Sequence, residues 1–553
     1  MTTSDPATSA TSLPKPLQGI GVCPGSAAGP VALMGPPPQL PVDRPDVTET
    51  DAEADAAMAA LILTADDLER RAAATAIPGA AEVMEATAMI ARDPSLEEAV
   101  RSAAADGQPA AWAVDRAIDG FRTMLLELGG YMAERVGDLD DVRDRTVARL
   151  LAQPMPGLPE RDAPFVLVAD DLAPADTVTL NPEKVLALVT VRGGPTSHTA
   201  ILARALGLPA VVACSGAATL HEGDLVEVDG ETGQVRVGVT PEQAIETNRL
   251  EAERRTARAA SHGPGRTADG HAVALLLNIG DAAGAAAVAK VDAEGVGLFR
   301  TEFLYLDRQD APSLEEQVAI YTGVFEAMGG RKIVVRTLDA GADKPLPFLN
   351  QEGEPNPALG VRGLRTARRS PQVLFDQLDA LALAQKGTGA VVWVMAPMIA
   401  TAAETKWFTD LAREHGLPIA GAMVEIPAAA LRASELLDHA DFLSIGTNDL
   451  AQYTLAADRM AGELADLLDP WQSALLDLIR MTADAGTAAG KSVGVCGEAA
   501  ASPALAKVLV GLGVTSLSMA ASAIADVRDA LAAVTLAECR AMAVEALAGR
   551  RPT

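Results

Sequence analysis

Hydrophobic and polar positions change texture along this chain, and each texture predicts a different kind of structure. Leu17 to Met34 is apolar and punctuated by Gly19, Gly21, Pro24 and Gly25, which reads as two short strands ahead of a Pro-rich turn at Pro36 to Pro41. From about Thr48 to Gln153, Ala, Leu and Met recur at helical spacing with charges between them, broken near Pro78, Pro94, Gly107 to Pro109 and Gly129-Gly130. That pattern predicts several helices packed as a bundle. Between Ala163 and Gly238 the apolar positions contract into short β-branched runs: Phe165-Val166-Leu167-Val168, Val185 to Val191, Ala210-Val211-Val212 and Leu225 to Val228. These predict a small α/β domain that the Leu17 to Met34 strands complete, so the bundle is an insertion. A charged helical stretch, Pro241 to Ala260, followed by Gly263-Pro264-Gly265, reads as a linker.

From Thr267 to Thr553 strand and helix patterns alternate. The strand candidates are Ala272 to Ile279, Gly295 to Phe299, Lys332 to Arg336, Val391 to Met395, Ile419 to Val424, Phe442 to Ile445, Ser492 to Val495 and Ser516 to Met519. Eight such units predict a (β/α)8 barrel of the TIM type. The expected fold class is therefore multidomain α/β: a small α/β domain with an inserted helical bundle, followed by the barrel.

Composition narrows the function classes. With 49% hydrophobic but only 3% aromatic residues, the core has to be built from Ala, Val and Leu. A formal charge of −29 repels phosphate backbones and anionic lipid, which argues against nucleic-acid and membrane partners. Met1 to Pro16 is Ser/Thr/Pro-rich without a basic or apolar leader region, and reads as a disordered tail. Cys23, Cys214, Cys496 and Cys539 are scattered with no C-x-x-C spacing, so no disulfide framework or zinc site is indicated and a cytoplasmic location fits best.

Chemistry concentrates in two places. In Gly193-Gly194-Pro195-Thr196-Ser197-His198-Thr199-Ala200-Ile201, glycines let backbone approach an anion closely, and the helix starting near Ser197 points its N–H groups toward whatever His198 holds. An imidazole titrating near neutrality in that setting is a nucleophile suited to carry a phosphoryl group; the plainer reading is an ordinary helix start capped by Ser197 or Thr196. The second place is the C-terminal rim of the barrel strands, where such folds build active sites. It collects Arg300-Thr301-Glu302, Arg336-Thr337-Leu338-Asp339, Pro397-Met398, Glu425, Asn448-Asp449 and Cys496-Gly497-Glu498. Arg300 and Arg336 suit bidentate capture of a phosphate or carboxylate, Glu425 and Asp449 offer hard oxygens to Mg²⁺, and Cys496 is placed to give or take a proton at carbon. A small phosphorylated acid matches that set, against the plainer reading of each charge as a salt bridge.

These motifs, with Glu294-Gly295-Val296-Gly297-Leu298-Phe299-Arg300-Thr301-Glu302-Phe303, Asp343-Lys344-Pro345, Asn356-Pro357-Ala358-Leu359-Gly360-Val361-Arg362, Met423-Val424-Glu425-Ile426-Pro427 and Ser444-Ile445-Gly446-Thr447-Asn448-Asp449-Leu450, resemble the enzyme I family, the phosphoenolpyruvate-protein phosphotransferases of the bacterial sugar phosphotransferase system. The resemblance runs from about Leu17 to the C-terminal region. It implies that the barrel binds phosphoenolpyruvate and Mg²⁺, that His198 takes the phosphoryl group, and that a histidine of the carrier protein HPr receives it. It further implies Glu425 and Asp449 as metal ligands, Arg300, Arg336, Asn448, Asp449 and Arg459 as substrate contacts, and Cys496 as the proton donor to the enolate. Thr177 is implied as a partner of the active histidine, with Lys344, Arg362 and Glu498 lining the mouth. The implied domains are a tail (1–16), a phosphohistidine domain (17–44 and 154–240), an HPr-binding helical insertion (45–153), a linker (241–266) and the barrel (267–553), through which the family dimerises. His198 serves two partners, so a hinge is expected, with Gly263 and Gly265 as candidates.

Some positions depart from the family pattern. Pro195 and Thr87 stand where a basic residue and a histidine are common, and Met460-Ala461 follows Asp458-Arg459 where a small turn residue is expected. Two rival readings are a pyruvate phosphate dikinase or phosphoenolpyruvate synthase, disfavoured because no Gly-rich nucleotide loop precedes the histidine domain, and a non-catalytic regulator, disfavoured because every proposed mouth ligand is in place.

Overall fold

The structure, a computed structural model, describes residues 15–35, 37–74, 80–128, 136–153, 158, 159, 161–172, 180, 181, 183–194, 197–280, 282–305, 308, 310–340, 346, 348, 349, 354, 356–458, 464 and 467–552. Residues 1–14 of the expected tail, Thr177, Pro195, Thr196, Lys344, Arg459, Met460 and Ala461 lie outside them. The chain divides into two compact units, Met1–Thr256 and Ala257–Thr553.

The first unit is built on an eight-stranded sheet. Its strands are β1 (Leu17–Gln18), β2 (Ile20–Cys23), β3 (Ser26–Leu33), β4 (Phe165–Ala169), β5 (Val185–Thr190), β6 (Ala210–Val212), β7 (Leu225–Asp229) and β8 (Gln234–Val237), in the order β1-β8-β7-β3-β4-β5-β6-β2. The four central strands β3 to β6 run parallel, and β1, β2, β7 and β8 add antiparallel pairs. Leu17 to Met34 thus holds three strands rather than two, and β8 is a strand that periodicity did not predict; its alternation of Gln234 and Arg236 with buried Val235 leaves only a four-residue signal. Apolar side chains cover both faces of the sheet, Leu167, Leu188 and Val212 on one and Val166, Val189 and Val228 on the other. Between the adjacent parallel strands β3 and β4 lie helices α1 (Thr50–Ala74), α2 (Ala80–Ala91), α3 (Pro94–Ala105), α4 (Ala110–Leu128) and α5 (Val136–Leu150), which enclose a core of their own around Leu61, Leu68, Met84, Val114 and Val142. Pro94, predicted as a break, is the first residue of α3, where its missing N–H costs nothing, and Asp93 caps the turn. Thr87 is fully buried in this bundle, so its hydroxyl is not part of a docking surface. Helix α6 (His198–Leu206) follows β5, and α7 (Pro241–Ala260) spans the predicted charged stretch.

The second unit is a closed barrel of eight parallel strands: β9 (Ala274–Ile279), β10 (Gly295–Arg300), β11 (Lys332–Arg336), β12 (Val391–Ala396), β13 (Ala420–Val424), β14 (Phe442–Gly446), β15 (Ser492–Cys496) and β16 (Ser516–Met519). All eight predicted strands are present, shifted by no more than two residues at either end. Leu298, Val334, Met395, Met423, Phe442 and Cys496 fill the interior. The register opposes Arg300 to Arg336 and Gly446 to Cys496, so consecutive strand ends finish level at one rim. Two outer helices matter below, α8 (Leu314–Ala327) and α9 (Pro371–Thr388).

The linker is pinned where its glycines were expected to bend. Arg258 binds Asp526 through two hydrogen bonds at 2.8 and 2.7 Å, and the amides of Gly263 and Gly265 donate to Asp292 and Glu294. A Cβ at Gly265 would lie 2.2 Å from the Val273 carbonyl oxygen, so that glycine serves close packing. Earlier in α7, Asn248 exchanges two hydrogen bonds with Ala28 of β3. Glu251, one turn later and buried, accepts the Ser26 amide at 3.4 Å, so the helical stretch between Glu251 and Arg258 is where neither of these sets of bonds holds the chain.

Candidate active site

The histidine loop leaves β5 through Val191 and Arg192 and enters α6 at His198. Gly193 has a left-handed φ of 92°, and a Cβ there would lie 3.2 Å from the Ser197 hydroxyl oxygen and 3.5 Å from Asp171 Oδ1, which explains the glycine. Ser197 accepts the Ala200 amide at 3.4 Å, the cap expected of it. Asp171 Oδ1 accepts both the Leu172 amide at 2.9 Å and the Thr199 hydroxyl at 3.2 Å, tying the end of β4 to the first turn of α6. Arg192 is held by Asp170 at 2.6 Å and reaches Asp140 of α5 at 3.7 Å. The His198 backbone therefore opens a helix, as expected, while its imidazole, like Thr177, lies outside what is described.

At the barrel rim the predicted residues meet in a web of buried charge. Arg336 donates to Glu302 at 2.8 Å and faces Asp339 at 3.2 Å and Glu425 at 3.6 Å. Arg362 reaches Asp339 at 3.2 Å, Asp449 at 3.4 Å and the Tyr453 hydroxyl at 3.3 Å. Glu302 Oε1 also accepts the Asp339 amide at 3.1 Å. All six charged groups expose less than a tenth of their surface. Glu302 and Asp339 were visible as strand-end residues without a role; Tyr453, whose hydroxyl also donates to the Ala358 carbonyl, carried no motif signal. Arg300, half-buried at the end of β10, makes no ion pair among the described residues. Asn448 and Glu498 are exposed, Asn448 at the start of the helix Thr447–Leu455 and Glu498 at the start of the short helix that follows Cys496.

The balance of this web is four carboxylates against two guanidiniums. Burial, followed by the charges of Asp449 and Asp339, pushes the Glu425 carboxyl up to about 8, while the surrounding carboxylates hold Arg336 and Arg362 firmly protonated. Glu425 Oε2 accepts the amide of Met398 at 2.9 Å, and Met398 sits at φ 57° although it is not glycine, a backbone conformation retained to aim that amide. Thr447 Oγ1, Glu302 Oε2 and the Nε atoms of Arg336 and Arg362 are buried without a hydrogen-bond partner among the described residues. An excess of buried negative charge with unpaired polar atoms around it suits a hard divalent cation together with an oxygen-rich ligand. Among the described residues no three metal-ligating side chains form a ready-made cage.

Gly446 guards the position of Glu425: a Cβ there would lie 2.7 Å from Glu425 Cγ and 2.8 Å from Oε1. Its backbone, at φ −90°, accepts any residue, so Gly446→Ala is expected to fold and to displace the carboxylate. Divalent-metal affinity, measured by calorimetry, should fall by about 10–100-fold; unchanged affinity would remove Glu425 from the ligand set.

Cys496 ends β15 inside the barrel, 3% exposed. It accepts a hydrogen bond from Ser444 at 3.6 Å and donates to the Ile445 carbonyl at 3.5 Å. Burial pushes its thiol up, so it stays protonated at neutral pH, the form a proton donor needs.

Comparison with known proteins agrees with this architecture. The family described as PEP-utilising enzyme matches in three parts: its N-terminal region at residues 18–135, its mobile domain at 162–233 and its PEP-binding domain at 254–536. Relatives named phosphoenolpyruvate-protein phosphotransferase include one from Streptomyces coelicolor, 52% identical over 541 residues and 96% of both chains. Others come from Haloferax volcanii, 39% identical, and Staphylococcus carnosus, 36% identical, each again covering 96% of both chains. With histidine loop, inserted bundle and barrel mouth all in family order, the chain belongs to the PEP-utilising enzymes, in the branch of the phosphoenolpyruvate-protein phosphotransferases.

Proposed function

We propose that this enzyme transfers the phosphoryl group of phosphoenolpyruvate to its own His198 and from there to a histidine of the carrier protein HPr, the first step of sugar uptake by the phosphotransferase system. The observation that carries the reading is the barrel mouth, where Arg300 has no ion pair among the described residues and a buried web of Arg336, Arg362 and four carboxylates has polar atoms to spare there. Arg300, Arg336, Asn448, Asp449 and Arg459 bind phosphoenolpyruvate, with Lys344, Arg362 and Glu498 around them. Glu425 and Asp449 hold Mg²⁺, which when bound neutralises charge on the phosphoryl and enolate oxygens. His198 attacks phosphorus in line: the N–P bond forms as the ester P–O bond breaks, and the electron pair stays on the enolate oxygen. Cys496 then gives its proton to the methylene carbon, releasing pyruvate, and recovers a proton from solvent. Thr177 orients the His198 imidazole.

The division of labour follows the sequence boundaries: residues 17–44 and 154–240 carry the histidine, 45–153 receive HPr, 241–266 link, and 267–553 bind phosphoenolpyruvate and pair two copies. Transfer in two directions requires the linker to bend, and the stretch of α7 between Glu251 and Arg258 is the segment available for it. A cytoplasmic location agrees with four free cysteines and with the absence, among the described residues, of any helix long and apolar enough to cross a membrane.

The test uses radiolabelled phosphoenolpyruvate without nucleotide. Acid-labile label should appear on the protein with Mg²⁺, disappear with a chelator, and pass to added HPr. Label that requires ATP, or that never leaves the enzyme for a carrier, would refute the reading.

A further inference from the structure

Behind the mouth, a glutamine on an outer helix is wired into both arginine-bearing strand ends. Gln377, in α9, is fully buried. Its Oε1 accepts the Leu338 amide at 2.9 Å, and its Nε2 donates to the Thr301 hydroxyl at 3.0 Å and to the Tyr321 hydroxyl of α8 at 3.0 Å. Thr301 in turn donates to the Arg336 carbonyl at 2.9 Å. Leu338 stands between Arg336 and Asp339, and Thr301 between Arg300 and Glu302. One amide therefore closes a ring that joins the end of β10 to the end of β11.

A buried amide costs free energy unless paired, and an apolar side chain would fill this place between α8 and α9 without that requirement. The Gln377 side chain lies against no mouth carboxylate or guanidinium in any of these bonds; it holds one backbone amide and two hydroxyls, and through Leu338 and Thr301 the stretches of chain that carry the mouth charges. We propose that Gln377 is a positioning residue for phosphoenolpyruvate binding, setting the spacing of the Arg300 and Arg336 guanidiniums through Thr301 and Leu338. The consequence is a geometric one: an anion gripped by two guanidiniums loses much of its affinity when one of them shifts by about 1 Å. This inference rests on the assignment of Arg300 and Arg336 as substrate contacts.

The experiment measures phosphoenolpyruvate binding by calorimetry, with Mg²⁺ present and in a His198→Ala background that prevents turnover, for Gln377→Met, Thr301→Val and the pair. In the otherwise native enzyme, KM and the rate of phosphoryl transfer from the loaded enzyme to HPr are followed in parallel, well below each variant's Tm. Each single variant should weaken binding by about 10–100-fold and raise KM, the two effects should not add, and transfer to HPr should be unchanged. Lower Tm with unaltered binding would assign Gln377 to stability alone and overturn the proposal; additive losses would do the same. Should Gln377→Met fail to fold, Thr301→Val decides alone, since unaltered binding there breaks the ring's claim. Arg300→Met serves as the control: if it leaves binding intact, the site assignment itself falls, whereas lost binding there with intact binding in Gln377→Met sinks only the role of the glutamine.

Discussion

His198→Ala is expected to bind phosphoenolpyruvate with native affinity and to accept no phosphoryl group from it. The expected loss is at least about 10⁴-fold, the order seen when a covalent nucleophile is removed, because no other described histidine has a comparable setting. His221 and His262 are exposed beside single carboxylates, and His415 is occupied by Asp379 at 2.6 Å. Binding survives because the mouth residues all belong to the other unit of the chain. Labelling with radioactive phosphoenolpyruvate measures the first half and calorimetry the second. Retained acid-labile label would mean a different nucleophile, and lost affinity would mean that His198 contributes to the ground-state site.

Replacing Arg336 by Met should be the most damaging change in the barrel. It takes from Glu302, Asp339 and Glu425 the guanidinium they share in the interior, and an uncompensated buried charge costs about 3–5 kcal/mol. Under the proposed role of Arg336 as a substrate contact it also removes a preorganised donor to the transferring group, for which losses of about 10²–10³ in kcat are usual. Arg336→Lys should recover part of the stability and little of the activity, because a compact ammonium on a flexible stem lacks the rigid planar fork that reaches Glu302, Asp339 and substrate in one fixed geometry. Thermal melts and kcat measured on both variants separate the two effects. A lysine variant with near-native kcat would refute a geometric role for the guanidinium.

Much of the site was legible before the fold was known, and the reason is local. Barrel strands buried on both faces read as unbroken apolar runs such as Ile333-Val334-Val335, and the charged residues that stop each run stand at the rim because β→α loops all open on one side. The histidine loop is similarly self-contained, with Ser197 and Thr199 making their bonds within a few residues or to the neighbouring strand end. Short edge strands were less legible: β8 buries only one face of four residues, too few for a period to register.

What the amino-acid order determined by itself was therefore the set of elements, the eight-strand count of the barrel and the chemical types at its rim, because these depend on periodicity and on residues adjacent in the chain. Tertiary structure alone decided the pairing. Arg362 meets Asp449 across 87 positions and Arg336 meets Glu302 across 34, contacts that exist only once the barrel closes and its register brings distant strand ends level. The same closure turned Gln377, indistinguishable in sequence from any polar residue of an outer helix, into the junction of two strand ends. It also pinned Gly265 against Val273, where the sequence suggested freedom, since whether a glycine provides slack or close approach depends on what lies opposite its missing side chain.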